Sequence, residues 1–167
     1  PLVYQTKLGI HPAQFYYDER ASVKLIRRAG LINIPITQEI LEAEEHAKND
    51  LDFTLSKEQE HGFRHAFHTP IHFITGGPGT GKTTLLSAVL KKLEYLTGVY
   101  LNDPLAPVLL AAPTGKAAYR MWEQTGITAH TIHSAFRIIP DYGCIDIEQS
   151  AEALSHIRYL VIDESSM

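Results

Sequence analysis

The sequence predicts an α/β fold built on a parallel sheet, and three observations support this. From Leu55 onwards, short apolar runs alternate with longer segments that are compatible with helices. The apolar runs lack polar alternation, so we expect their strands to be covered on both faces. A glycine-rich turn stands between the first apolar run and the helical segment that follows it. This order is typical of α/β domains that bind a ligand beyond the ends of their strands.

Composition and charge limit the classes of protein to which this chain can belong. The chain has 167 residues, of which 44% are hydrophobic, as expected for one domain with a small appendage. We find no apolar run of about 18 residues and no signal peptide, so we expect no membrane association. The single cysteine, Cys144, excludes a disulfide framework and fits the cytoplasm. A net charge of −4 argues against a protein that binds nucleic acid over its whole surface, but it does not exclude a local contact patch.

Two segments are predicted, one over residues 1–50 and one over residues 51–167. The first is a helical N-terminal segment, with helices over residues 13–28 and 38–48 and a stop at Gly30. The second contains the α/β pattern. There we expect strands over residues 71–74, 108–112 and 158–162, and helices beginning at Lys57, Lys82 and Gly115. Because the chain begins with Pro1, we expect it to be part of a longer polypeptide.

The glycine-rich turn fits the phosphate-loop pattern of Gly76, four residues, Gly81, Lys82 and Thr83. Glycine permits the positive φ angles that point backbone N–H groups at phosphate oxygens. The helix that follows adds its N-terminal amides, Lys82 adds a cation, and the Thr83 hydroxyl can bind Mg²⁺. We therefore predict that the loop binds ATP through these residues: Gly77, Pro78, Gly79, Thr80, Gly81, Lys82, Thr83 and Thr84.

Two acids follow the last predicted strand, at the end where open α/β sheets bind ligands. We assign Asp163 to the Mg²⁺ ion and Glu164 to the water that attacks the nucleotide. Gln59 has two interpretations. It can complete a capping box with Ser56, or its amide can recognise adenine, and spacing alone favours the cap.

The motifs together resemble those of RecD-like DNA helicases of superfamily 1, such as the exodeoxyribonuclease V alpha subunit. Residues 76–84 resemble motif I, residues 112–118 motif Ia, residues 131–133 the next short motif, and residues 163–167 motif II. Gln59 falls where this family places an adenine-binding glutamine, which reverses the preference for the cap.

The resemblance implies a truncated, RecA-like N-terminal motor lobe over residues 51–167, with ATP and Mg²⁺ as cofactors. It implies an ATP-hydrolysing DNA helicase that moves 5′ to 3′ on single-stranded DNA in bacterial recombination and repair. DNA contacts are expected at Pro113, Thr114, Lys116, Thr131 and His133. For Trp122 we favour packing against its own helix over stacking on DNA. Whether the full-length protein acts alone or together with RecB- and RecC-like subunits stays open.

Two alternatives remain, and both keep the phosphate loop. One is another P-loop enzyme, such as a small-molecule kinase or an AAA-type remodeller, and the other is a non-enzymatic nucleotide-binding module. The family's second lobe supplies arginines, so we expect these 167 residues alone to be almost inactive. His61, His65 and His68 share a predicted helix face, but no further ligand completes a recognisable metal site.

Overall fold

The computed structural model describes residues 3–6, 9–139, 144–145, 150–152 and 154–164. Helices and strands alternate from the middle of the chain onwards, as the sequence predicts. The elements in chain order are β1 (Val3–Thr6), β2 (Gly9–Pro12), α1 (Ala13–Gly30), α2 (Gln38–Asn49), α3 (Lys57–His65), α4 (Lys82–Thr97), β3 (Val108–Ala112), α5 (Gly115–Thr125), β4 (Ala129–Thr131), α6 (Ile132–Ala135), β5 (Ile138–Ile139), β6 (Cys144–Ile145) and β7 (Tyr159–Ile162).

The central sheet is parallel, which confirms the predicted fold class. Its strand order is β4-β3-β7, with β3 in the middle. Leu110 of β3 lies opposite Ala129 of β4 on one side and Val161 of β7 on the other. Helix α5 connects β3 to β4, so these three elements form the crossover unit that parallel neighbours require. The carboxyl ends of all three strands therefore lie at one edge of the sheet.

The strand predicted over residues 71–74 is absent, and this prediction was wrong. These residues have no regular secondary structure, and the side chain of Phe73 is 63% exposed. A strand needs a neighbour for its N–H and C=O groups. In the described part of the chain, β7 pairs with β3 along one edge and with no strand along the other. The apolar, β-prone sequence there has no ladder partner among the described strands.

The expectation that the strands are covered on both faces also fails for β7. Tyr159 and Val161 pack against the apolar cluster below the sheet. Leu160 and Ile162 alternate with them and remain 46% and 40% exposed. An apolar run without polar alternation predicts the strand correctly but does not establish that both of its faces are buried.

Helix α4 separates two apolar clusters. On one side, Leu85, Ala88 and Val89 pack with Phe63 of α3 and Ala47 of α2. On the other side, Leu90 and Leu93 pack with the sheet and with α5, through residues Leu110 and Met121. Phe67 contacts both clusters, and its ring meets that of Tyr159 edge-on with 5.7 Å between centroids. Burial of α4 on both sides thus positions the turn at its N-terminus.

A buried ion pair joins α4 to the two helices before it. The ammonium of Lys92 is fully buried and lies 2.9 Å from a carboxylate oxygen of Glu44 on α2. It also donates to the carbonyl oxygens of Phe63 and Arg64, at 3.2 and 3.4 Å. Burial lowers the pKa of Lys92, and Glu44 partly opposes that shift. Lys92 therefore fastens α2 and the end of α3 to α4.

The N-terminal segment is partly as predicted. Helices α1 and α2 match the predicted helices to within two residues. The antiparallel pair β1 and β2, which precedes α1, was not predicted. Within the described residues, no helix has the length and apolar character needed to cross a membrane.

Replacing Glu44 by Gln tests the buried ion pair. The substitution leaves the Lys92 charge buried without a counter-ion, so we expect the free energy of unfolding to fall by about 3 kcal/mol. The matched control is Glu42→Gln on the same helix, where the carboxylate is exposed and accepts a hydrogen bond from Gln38. That change should stay within about 0.5 kcal/mol of wild type in urea unfolding. Equal effects of the two substitutions would contradict the role given to Lys92.

Candidate nucleotide and nucleic-acid site

The glycine-rich turn forms a tight loop at the start of α4. Gly79 and Gly81 adopt positive φ angles of 72° and 76°, which side chains rarely tolerate. A Cβ atom added at Gly76 would stand 2.6 Å from the Thr80 hydroxyl oxygen. That hydroxyl donates to the carbonyl oxygen of Gly77 at 2.9 Å. The backbone therefore favours glycine at positions 79 and 81, and the Thr80 hydroxyl leaves little room for a side chain at position 76.

The N-terminus of α4 has the properties of an anion site. Gly81 is the N-cap residue, and no side chain caps the first amides of the helix. Such amides and the helix dipole favour a negative charge. The ammonium of Lys82 donates to the carbonyl oxygens of Gly76 and Gly77, at 2.8 Å each. Lys82 thus folds back over the loop, and Thr83 and Thr84 follow it, half-buried, in the first turn of α4.

Gln59 completes the capping box, one of the two roles considered for it, and its other role, adenine recognition, stays a prediction. Its side-chain carbonyl accepts from the backbone N–H of Ser56 at 2.8 Å, and the Ser56 hydroxyl accepts from the Gln59 N–H, so the capping box is present. Its amide nitrogen also donates to the carbonyl oxygen of Gly81 at 3.0 Å. The capping box therefore aims the amide at the phosphate loop. This second contact was not predicted.

The helix that carries Gln59 is fixed at both ends. Its first turn is held by the capping box, and its last turn by the bonds from Lys92 to the carbonyl oxygens of Phe63 and Arg64. Glu60 on the same helix pairs with Lys48 of α2 and with Arg64. These bonds hold Gln59 at a constant position relative to α4.

Of the three histidines predicted to share a helix face, His61 and His65 lie on α3, whereas His68 lies beyond its end, so that prediction was wrong for His68. The ring centroids of His61 and His65 are 4.0 Å apart, and those of His65 and His68 are 5.3 Å apart. Partial burial lowers the pKa of His68, and the Lys92 charge lowers it further. No group of three or more His, Cys, Asp or Glu residues in the described part of the chain has a metal-binding arrangement.

The two acids stand where β7 ends. The N–H of Asp163 donates to the carbonyl oxygen of Ala111 at 3.1 Å, which continues the ladder to β3. A carboxylate oxygen of Asp163 accepts from the N–H of Glu164 at 2.8 Å. Glu164 has a positive φ of 55° and an exposed side chain. Positive φ in a non-glycine residue is costly and is often found at functional sites. Residues 165–167, the end of the predicted motif II, lie outside the described residues.

The structure brings the acids to the same edge as Thr114 and Thr131. It joins Gln59, Gly81 and Lys82 into a second group at the start of α4. Among the described residues, no hydrogen bond or ion pair connects this loop with Asp163 or Glu164. The shared use of one nucleotide by both groups therefore stays a prediction.

Thr114 and Thr131 have the same structural role on neighbouring strands. Thr114 stands two residues after β3, and Thr131 is the last residue of β4. Each caps the next helix, accepting from the N–H of Ala117 at 3.2 Å and of Ser134 at 3.1 Å respectively. Since each hydroxyl oxygen accepts from the backbone, its hydrogen is free to be donated to a phosphate oxygen. Lys116 and His133 are exposed beside them, and Pro113 is half-buried. The two capping positions were not recognised from the sequence, although each Thr stands three residues before the amide that it caps.

Trp122 contacts Tyr119 of its own helix, with ring centroids 5.4 Å apart, but it is not buried. Its side chain is 45% exposed and lines a cleft between α5, β4 and the start of α6. Met121, its neighbour, is the α5 residue that enters the core. The size of tryptophan favours burial, but the helix register turns Met121 inward and leaves Trp122 at the surface.

Comparison with known proteins gives one family and several relatives. A family model described as AAA domain matches residues 59–167. The RecBCD enzyme subunit RecD of Mycolicibacterium smegmatis is 33% identical over 127 residues, which cover 66% of this chain and 23% of the relative.

Two further relatives are named as helicases. The ATP-dependent RecD2 DNA helicase of Deinococcus radiodurans is 40% identical over 94 residues, covering 56% of this chain and 12% of the relative. The ATP-dependent DNA helicase PIF1 of Candida albicans is 33% identical over 141 residues, which cover 78% of this chain and 14% of the relative. The chain thus spans less than a quarter of the length of these curated relatives.

Replacing Gln59 by Glu separates its two contacts. A glutamate retains the acceptor that the capping box uses, but its carboxylate cannot donate to the Gly81 carbonyl. We expect nearly unchanged stability, within about 0.5 kcal/mol, together with faster hydrogen exchange of the loop amides from Gly79 to Thr83. The control Gln124→Glu alters an exposed glutamine on α5 and should leave the loop unchanged. Loop exchange that is insensitive to Gln59→Glu would show that the bond to Gly81 does not restrain the loop.

Proposed function

We propose that this chain, which belongs to the AAA domain family, is the ATP-binding part of a RecD-like DNA helicase motor of superfamily 1. The full-length protein would couple ATP hydrolysis to 5′-to-3′ movement on single-stranded DNA in recombination and repair. The observation that carries the proposal is the loop at the start of α4, with Lys82 folded over it and Gln59 bonded to Gly81. Residues 51–167 would form this motor lobe, and residues 1–50 a segment that precedes it.

The loop supplies binding and charge neutralisation for the triphosphate. Lys82 has two neutral carbonyl partners, and the more strongly attracting oxygens of the β and γ phosphates would replace them. The first amides of α4 carry no side-chain cap and would bind the same phosphates. Gln59, held by its capping box, would recognise the adenine edge while its bond to Gly81 links the base site to the loop.

The donor set fits a magnesium ion, since it consists of a hydroxyl at the start of α4 and a carboxylate at the end of β7. Thr83 and Asp163 are the residues that would hold the ion. When bound, it would neutralise the charge that develops on the phosphates during transfer. Glu164 would orient the attacking water and accept its proton.

The ends of β3 and β4 would contact the DNA backbone. The hydroxyl hydrogens of Thr114 and Thr131 and the ammonium of Lys116 are donors suited to phosphate oxygens, and Pro113 and His133 flank them. Such contacts fix the position of the strand without reading its sequence. Some relatives are named as RecBCD subunits, so co-purification would test for RecB- and RecC-like partners.

Replacing Lys82 by Ala in the full-length protein tests the nucleotide site. Loss of the cation should lower the rate of ATP hydrolysis by about 100-fold or more. Lys91→Ala is the matched control, because Lys91 is on the same helix but pairs with Asp50 and Glu94. The control should retain most of the wild-type turnover. Near-normal turnover in the Lys82 variant would refute the site.

Single-stranded DNA should stimulate ATP hydrolysis by the full-length protein. A kinase or a protein remodeller gives no reason for such stimulation, so a rate that is indifferent to DNA would contradict the helicase proposal. Lys116→Ala should raise the DNA concentration needed for half-maximal stimulation. It should also reduce the slope of log affinity against log salt by about one. Lys24→Ala, an exposed lysine on α1, is the control and should change neither quantity.

A further inference from the structure

A cleft beside α5 exposes two aromatic side chains in contact with each other. Tyr119 and Trp122 lie on one face of the helix, with ring centroids 5.4 Å apart and ring planes tilted by 50°. They are 57% and 45% exposed. The cleft is shallow and open, with a volume of about 470 Å³.

The residues that line this cleft are partly apolar and partly polar. Ala118 and Ala129 supply apolar wall, and the aromatic pair supplies flat ring surface. His130, Thr131 and Ser134 add polar groups from β4 and α6. An aromatic platform beside hydroxyl and imidazole groups suits a planar ligand that also carries hydrogen-bonding atoms.

The charge beside the cleft is positive although the chain as a whole is negative. Lys116 and Arg120 are exposed one turn apart on α5. Neither Lys116 nor Arg120 forms an ion pair with another of the described residues. The helix carries a single acid, Glu123. Thr131, which we propose as a contact for the DNA backbone, lines the same cleft.

We propose that this cleft receives a base of single-stranded DNA, stacked on Trp122 and flanked by Tyr119. The backbone of the strand would run past Lys116 and Thr131, which brings the base on that side within reach of the rings. Stacking accepts any base because every base has a π-face, so the site would add affinity without sequence preference. This inference rests on the proposed function, which requires that single-stranded DNA binds at the ends of β3 and β4.

The experiment compares two strands that differ only in their bases. Fluorescence anisotropy of the full-length protein would measure affinity for labelled oligo-dT and for an abasic strand of equal length. Trp122→Ala should weaken binding of oligo-dT by about tenfold, a typical loss for one stacked base. It should leave the abasic strand bound as in wild type. Trp122→Phe, which retains an aromatic ring, should lose less.

Two controls make the result specific. Tyr100→Ala removes an aromatic side chain that is 81% exposed in the turn between α4 and β3, away from the cleft, and should not alter affinity. The emission of Trp122, obtained as the difference between wild type and Trp122→Phe, should be quenched by oligo-dT and not by the abasic strand. Thermal unfolding of each variant checks that the fold is intact.

The outcomes separate this inference from the function on which it rests. If Lys116→Ala weakens binding of both strands while Trp122→Ala binds oligo-dT like wild type, the stacking site is refuted and the DNA-binding function stands. If the wild-type protein binds neither strand, both proposals fail. A cleft that takes a polypeptide would leave the Trp122 emission unchanged by DNA, and that result also overturns the inference.

Discussion

The packing of α4 on two sides is the constraint on which the other features depend. Its Leu85 side is buried against α2 and α3, its Leu93 side against the sheet, and Lys92 binds Glu44 and the end of α3. A helix fixed on two faces cannot rotate without breaking both clusters. Because the phosphate loop directly precedes this helix, the packing of the helix also fixes the position and orientation of the loop.

The same packing connects Gln59, the residue proposed to recognise the base, to the loop. Helix α3, which carries Gln59, is joined to α4 by Phe63 in the core and by Lys92 at its end. The bond from Gln59 to the Gly81 carbonyl then links the two helices at their N-terminal ends. At the edge of the sheet, Thr114 and Thr131 cap successive helices in the same way. Two groups of candidate site residues thus arise from helix beginnings, where backbone donors are unsatisfied within the helix.

The sequence predicted local features well and features of exposure less well. The start of α4 at Lys82 and both ends of the strand Val108–Ala112 were predicted to the residue, since a glycine-rich turn and an apolar run mark them. The strand over residues 71–74 failed because a strand depends on a partner that local sequence does not reveal. Leu160 was expected to be covered and is exposed, because burial depends on how an element is turned against its neighbours. Gln59 was identified from its spacing, but its contact with Gly81 joins residues far apart in the chain.

We propose that the loop around Lys82 and the acids after β7 serve one magnesium–nucleotide complex. The most direct test is a crystal structure of the full-length protein with Mg²⁺ and a non-hydrolysable ATP analogue. Our account predicts one magnesium ion that is bound by Thr83 and, directly or through water, by Asp163. Lys82 should contact the terminal phosphates. A nucleotide bound in the loop with Asp163 and Glu164 directed elsewhere would contradict it.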